Sequence, residues 1–459
     1  MLSDLSVQQV IAICGSLAGI IVALVRYRSI KHDNKIDAFK INHELISKSR
    51  FIYSEEALKA YYEYEKKCFV KSSKKSLYLI SKDSWIGVMD LDKIVVTNNS
   101  EKYHKNSLFN IMKIALLPDI GKTYSQNLRK YVGAPIFNAN VIAMRDDTPT
   151  QNGIQINAYE IRYFDYLDHI GMREMYLAKL MEDGFKNNNN RIKSRLKRMF
   201  ENLPMLDLTN RPAVIGACAL CFFTNVKESE YDVQDGESYL LIHKRNGKVA
   251  EARNTVSMVP AGSLTWDDDP TVHENDNNMA FFSTIIREFE EEVLGCSEVE
   301  WTDKYTKPPI LTDNNIFQYK SLGLGLDPLS TKVEQMSLII VNGGKACNKL
   351  KSYIATKRII KFDNCDFLTL NDLNNIINNN SSEGTIHIIQ VNYENLLRLM
   401  LSKESMPVFR EAIHQILKSD NEELRTMIKI RDYDENHFTE VENEIYKDIR
   451  SEKATDTVI

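Results

Sequence analysis

The run Arg287, Glu288, Phe289, Glu290, Glu291, Glu292, Val293, Leu294, Gly295 constrains the fold more than any other stretch of this chain. Only a helix separates its charged side chains from its apolar ones. Residues three and four apart on a helix are neighbours. The pattern therefore gathers Glu288, Glu291 and Glu292 on one face and aligns Phe282, Ile286, Phe289 and Val293 as a core-facing stripe on the other. Ionised carboxylates at that spacing repel one another, and a hard cation that prefers oxygen ligands, such as Mg²⁺, relieves the repulsion. A solvated acidic helix face is the other outcome of the same pattern.

The segments ahead of this helix narrow the reading. Residues 211–223 form an apolar, strand-like run, and residues 238–245 form a second strand that ends in Lys244 and Arg245. Residues 258–264 follow as a turn containing Pro260 and Gly262. This order, closed by Arg287, Glu288, Glu291, Glu292 and Gly295, resembles the Nudix superfamily, in which two strands lead to a Pro-Gly-Gly-like turn and then to the box helix. The resemblance implies a Nudix-like α/β/α sandwich over 211–385. It also implies Mg²⁺, with Mn²⁺ as a substitute, held by Glu288, Glu291 and Glu292. Glu291 and Glu292 would be catalytic, Arg287 a structural part of the box, and Lys244, Arg245, Gly262 and Glu334 ligand-binding. Two departures accompany it: Met279 and His273 stand where the box has its upstream glutamate and glycine, and a polar, acidic stretch at 267–278 separates turn from helix.

At the other end of the chain, residues 10–25 are apolar and carry no charge. With 7–9 they reach the roughly 17–25 residues of a spanning helix. A cleaved leader has a basic start and a small-residue cleavage site, whereas here only Asp4 precedes the run and Arg26, Arg28, Lys31 and Lys35 follow it. Residues 7–25 are therefore expected to form a single transmembrane helix, with the bulk of the chain in the cytoplasm. Gly15, Gly19 and Ala23 recur every fourth residue and form a stripe that allows close helix–helix approach and oligomerisation. Glycine and alanine are also common in spanning helices generally.

The remainder reads as α+β. Residues 36–200 mix helical patterns with extended pieces such as 93–97 and lead through Asn187–Asn190 into a basic stretch. Tyr159, Tyr163, Phe164, Tyr166 and Trp85 are either core or a surface on which a base stacks. Residues 320–328 read as a glycine-punctuated loop, 334–341 as a buried strand, and 386–450 as C-terminal amphipathic helices, with the charged tail starting at residue 439. A formal net charge of −5 lacks the basic signature of a partner to long nucleic acid. Seven scattered cysteines suit reduced thiols, and Cys218 and Cys221, in a strand, are expected to face opposite ways into the core.

Two functions remain open. One span, an unassigned region and a divergent Nudix-like domain also resemble the membrane effectors of bacterial cyclic-oligonucleotide antiphage signalling. That resemblance implies a chain that binds a nucleotide second messenger, a cyclic oligonucleotide, and oligomerises to disrupt the inner membrane. The alternative is a membrane-tethered, Mg²⁺-dependent Nudix hydrolase cleaving nucleoside diphosphate derivatives. The altered box and the small-residue stripe favour the effector. The three retained glutamates favour the hydrolase.

Overall fold

The computed structural model describes residues 25–43, 78–89, 93–98, 117–119, 122–133, 136–151, 153–185, 208, 212–224, 238–245, 255–265, 280–293, 317–327, 330–342, 385–402, 405–417 and 422–430. The expected span below residue 25, with Gly15, Gly19 and Ala23, lies outside them, as do Met279, His273, the 267–278 stretch and the tail from residue 439. Among the described residues no helix is long and apolar enough to cross a membrane.

The described residues form an α+β arrangement around a mixed sheet of eleven strands. These are β1 (Ile86–Met89), β2 (Ile94–Asn98), β3 (Asn140–Pro149), β4 (Ile154–Arg162), β5 (Ala213–Thr224), β6 (Tyr239–Lys244), β7 (Val256–Ser257), β8 (Ala261–Ser263), β9 (Phe317–Leu326), β10 (Val333–Asn342) and β11 (Thr385–Gln390). The main path runs β1-β9-β10-β5-β3-β4-β2, with β6 and β8 also on β5 and β11 on β6. Strand β5 lies parallel to β10, from Ile215 opposite Val333 to Thr224 opposite Asn342. A strand covered on both faces reads as a near-continuous apolar run, and β5 is one.

Its alternate residues enter different cores. Ile215, Ala217, Ala219 and Cys221 pack with Phe281, Ile285 and Phe289, while Cys218, Leu220 and Phe222 pack with Leu396, Phe409 and Ile413. The first set meets helix α4 (Ala280–Glu288). The second meets the C-terminal α5 (Tyr393–Leu401) and α6 (Pro407–Leu417). The two thiols thus face opposite ways, as the strand period requires, and burial pushes both up.

Two expectations need correction. The stretch 320–328 is strand to Leu326 rather than loop. Its glycines serve the strand: Gly323 adopts φ 113 where the register with β10 slips between Met336 and Ser337, and a Cβ on Gly325 would fall 2.3 Å from Leu79 Cδ1. Likewise, the C-terminal helices do not begin at 386, because β11 continues to Gln390 and pairs with β6.

The middle region shares this sheet. Strand β1 pairs with β9, and β3 meets β5 at Ala143–Val214 and Met144–Ala213. Residues 25–43 form helix α1, which is tied to α2 (Tyr124–Tyr131). Buried Phe39 lies 6.0 Å from the Tyr124 ring, and the Tyr124 hydroxyl is 3.0 Å from His43 Nδ1. Asp119 joins the same elements, bonding Lys130 Nζ at 2.9 Å, the Tyr131 hydroxyl at 3.0 Å and His32 Nε2 at 3.1 Å. Behind α2 runs α3 (Tyr163–Phe185), where a Cβ on Gly171 would fall 2.1 Å from the Tyr124 ring.

Candidate ligand pocket beside the acidic helix

Helix α4 docks by the stripe expected from sequence. Phe281, Ile285, Ile286, Phe289 and Val293 are buried, and half-buried Phe282 meets the Tyr319 ring edge-on at 4.7 Å. From Phe289 to Val293 the helix widens into a π turn, a feature frequent at functional sites. Glu290 is thereby buried as well, at 3% exposure.

The carboxylates do not converge on one point. Arg287 reaches two of them, with Nη2 2.8 Å from Glu288 Oε1 and Nη1 3.4 Å from Glu291 Oε2. Its Nη2 also donates to the Ser263 carbonyl at 3.4 Å. The third carboxylate, Glu292, accepts from the Ala261 N–H at 2.9 Å and lies 4.0 Å from His243 Nδ1. Oxygen donors of this kind suit a hard cation. As arranged, however, no three metal-ligating side chains among the described residues come together around one.

Burial dominates the electrostatics here. It raises the Glu292 carboxyl to about 7, helped by Glu291 and opposed by Arg245, the Ala261 N–H and Arg287. His243 is pushed down to about 4, first by burial and then by the positive charge of Arg245 and by His387.

Strand β8 separates this helix from a cavity. Backbone bonds fix the strand to β5, Ala219 N–H to the Pro260 carbonyl and Leu264 N–H to the Ile215 carbonyl, each at 2.9 Å. Gly262 is the point of closest approach, since a Cβ there would fall 1.7 Å from Glu288 Oε1. On β5, a Cβ on Gly216 would fall 2.0 Å from Glu334 Oε2. Two glycines therefore make room for two buried glutamates.

The cavity, of about 180 Å³, is lined by Arg245, Gly262, Lys332 and Glu334 together with Tyr163 and Asp327. Lys332 Nζ lies 3.3 Å from Glu334 Oε1. Asp327 Oδ1 accepts from the Ser330 N–H at 2.7 Å, and Thr331, at φ 55, closes the turn that carries Asp327 and Lys332. A β-branched residue is costly in that left-handed region.

Of the residues expected to bind ligand, the structure brings Arg245, Gly262 and Glu334 into this cavity. Lys244 does not line it; burial lowers its ammonium pKa. Sequence reasoning missed Lys332, although its place two residues before Glu334 in extended chain puts both on one side. It had no signal that would bring Tyr163 here from the start of α3. Comparison with protein-family models and with curated proteins finds no match for this chain.

Proposed function

We propose that this chain is a membrane-anchored receptor with a Nudix-like domain, which binds a nucleotide second messenger, a cyclic oligonucleotide, and oligomerises to disrupt a bacterial inner membrane in antiphage defence. The cavity carries the reading, because Arg245, Gly262 and Glu334 meet there with a second cation, Lys332. Guanidinium and ammonium groups are the usual partners of phosphate. The order β5, β6, β8, α4 supports the Nudix-like assignment. At about 180 Å³ the cavity is below the roughly 300–1,000 Å³ of sites that enclose a drug-sized ligand. It suits one unit of a larger nucleotide.

Helix α1 supports the anchor. Its first turns expose Val25, Tyr27 and Ile30 between Arg26, Arg28 and Lys31, the mixture of aromatic, aliphatic and basic side chains that suits a membrane–water interface. It also continues directly from the uncharged run at 10–25.

Glu292 favours a second reading, the Mg²⁺-dependent hydrolase. A half-buried carboxyl raised to about 7 is suited to proton transfer near neutrality. Mg²⁺ or Mn²⁺ held by Glu288, Glu291 and Glu292 belongs to that reading, and it requires Arg287 to withdraw from Glu288 and Glu291. The bound ion would supply charge neutralisation at a pyrophosphate.

Full-length protein in detergent, titrated with cyclic oligonucleotides and nucleoside diphosphate derivatives while product is followed, separates the two. A receptor binds one cyclic ligand, leaves it intact and grows in oligomer size. Cleavage of a pyrophosphate that Glu291→Gln abolishes, with no response to cyclic ligands, refutes the receptor.

A further inference from the structure

We propose that Tyr163 is the aromatic platform of the cavity, stacking on a nucleobase whose phosphate is taken by Arg245 and Lys332. This rests on the nucleotide-binding reading above and adds a specificity residue from outside the Nudix-like region.

The aromatic residues of the middle region divide by burial. Trp85 and Tyr166 are fully buried and Tyr159 is 5% exposed, so these are core. Tyr163 is half-buried and lines the cavity. Its position is fixed on three sides. The Tyr163 N–H donates to the Ala139 carbonyl at 2.9 Å, and the next N–H, of Phe164, donates to Asn138 Oδ1 at 2.9 Å. The Tyr163 ring leans on the buried Tyr166 ring, with centroids 5.8 Å apart and planes 33° apart. A ring held in this way loses little freedom when a ligand stacks on it.

The rest of the lining supplies the other half of a nucleotide site. Arg245 Nε is buried and has no hydrogen-bond partner among the described residues, and Lys332 is the second cation. Every base has a π face, so an aromatic ring recognises base-bearing ligands as a class. The volume of the cavity limits it to about one such unit.

The test titrates full-length protein in detergent with cyclic di-adenylate, ADP and base-free inorganic pyrophosphate. Tyr163→Ala and Tyr163→Leu are expected to weaken the base-bearing ligands by roughly tenfold or more and to leave pyrophosphate unchanged. Tyr163→Phe, which keeps the ring, is expected to bind like wild type. Equal binding of the nucleotides by wild type and Tyr163→Ala overturns the platform and leaves the nucleotide site standing. Parallel weakening of pyrophosphate also overturns it, because the ring then acts only through the fold, and so does a Phe variant as weak as Ala, because the hydroxyl rather than the ring face is then what binds. A wild-type protein that binds none of the three probes removes the nucleotide reading and the platform together.

Discussion

Gly262 and Glu288 occupy one another's space: the Cβ that any other residue would carry at 262 falls 1.7 Å from the Glu288 carboxylate oxygen. The cavity wall and the acidic helix therefore meet closely here, beside the bonds from Ala261 N–H to Glu292 and from Arg287 to the Ser263 carbonyl. Gly262→Ala should displace the Glu288 side chain, disturb its pairing with Arg287 and cost about 1–3 kcal/mol, the usual range for overpacking a tight site. Chemical denaturation measures this. Glu288→Ala in the same background should recover part of the loss, and no recovery would mean the strain lies elsewhere.

Arg287 holds Glu288 and Glu291 together, with its side chain only 16% exposed. Removing the guanidinium leaves two partly buried carboxylates facing one another. Arg287→Gln is expected to destabilise the protein by roughly 1–3 kcal/mol, and Glu291→Gln should be less damaging in that background than alone. If Mg²⁺ uses these carboxylates, its thermal stabilisation should be larger in Arg287→Gln than in wild type. It should vanish when Glu288, Glu291 and Glu292 are all glutamine. Equal Mg²⁺ stabilisation of the triple variant and wild type would refute the site.

Much of this architecture was legible from periodicity. The alternation along β5 sent Cys218 and Cys221 to opposite cores, and the spacing in α4 put Phe289 and Val293 inward. What stayed hidden depends on contacts distant in sequence. No local pattern says that Ala143 will pair with Val214, or that Tyr163 will reach the cavity. Nor could composition decide which of Lys244 and Arg245 lines it, since adjacent strand residues face opposite ways and only the register of β6 chooses. The glycines of β9 misled because glycine signals a loop in isolation. Here they admit a bulge and the Leu79 side chain.

Asp119 gives a pH signature. The Lys130 hydrogen bond, opposed by burial and assisted by His32 and Tyr131, holds its carboxyl well below the usual carboxylate range. A folded pKa below the unfolded one means that the unfolded chain binds the proton first. The contribution of Asp119 is therefore complete above the unfolded value of about 4 and is lost as pH falls from there toward the folded value. Asp119→Asn should lower stability at pH 7 and flatten the acid side of the stability profile. Parallel profiles for the two proteins below pH 5 would contradict this.

Helix α1 follows directly in sequence on the uncharged run and is tied to α2 through Phe39 and Tyr124 and to Asp119 through His32, so if that run is the proposed anchor, movement of the folded part would be passed to it. On the proposed reading, clustering of such spans would need only a surface along which they approach. Gly15→Leu, Gly19→Leu and Ala23→Leu together should block that approach while keeping the segment apolar. The variant should still resist extraction by high salt, should bind ligand in its cavity as wild type does, and should fail to form ligand-induced oligomers in cross-linking. Full oligomerisation by the variant would show that assembly runs through the folded part, and release of wild type by salt alone would remove the anchor.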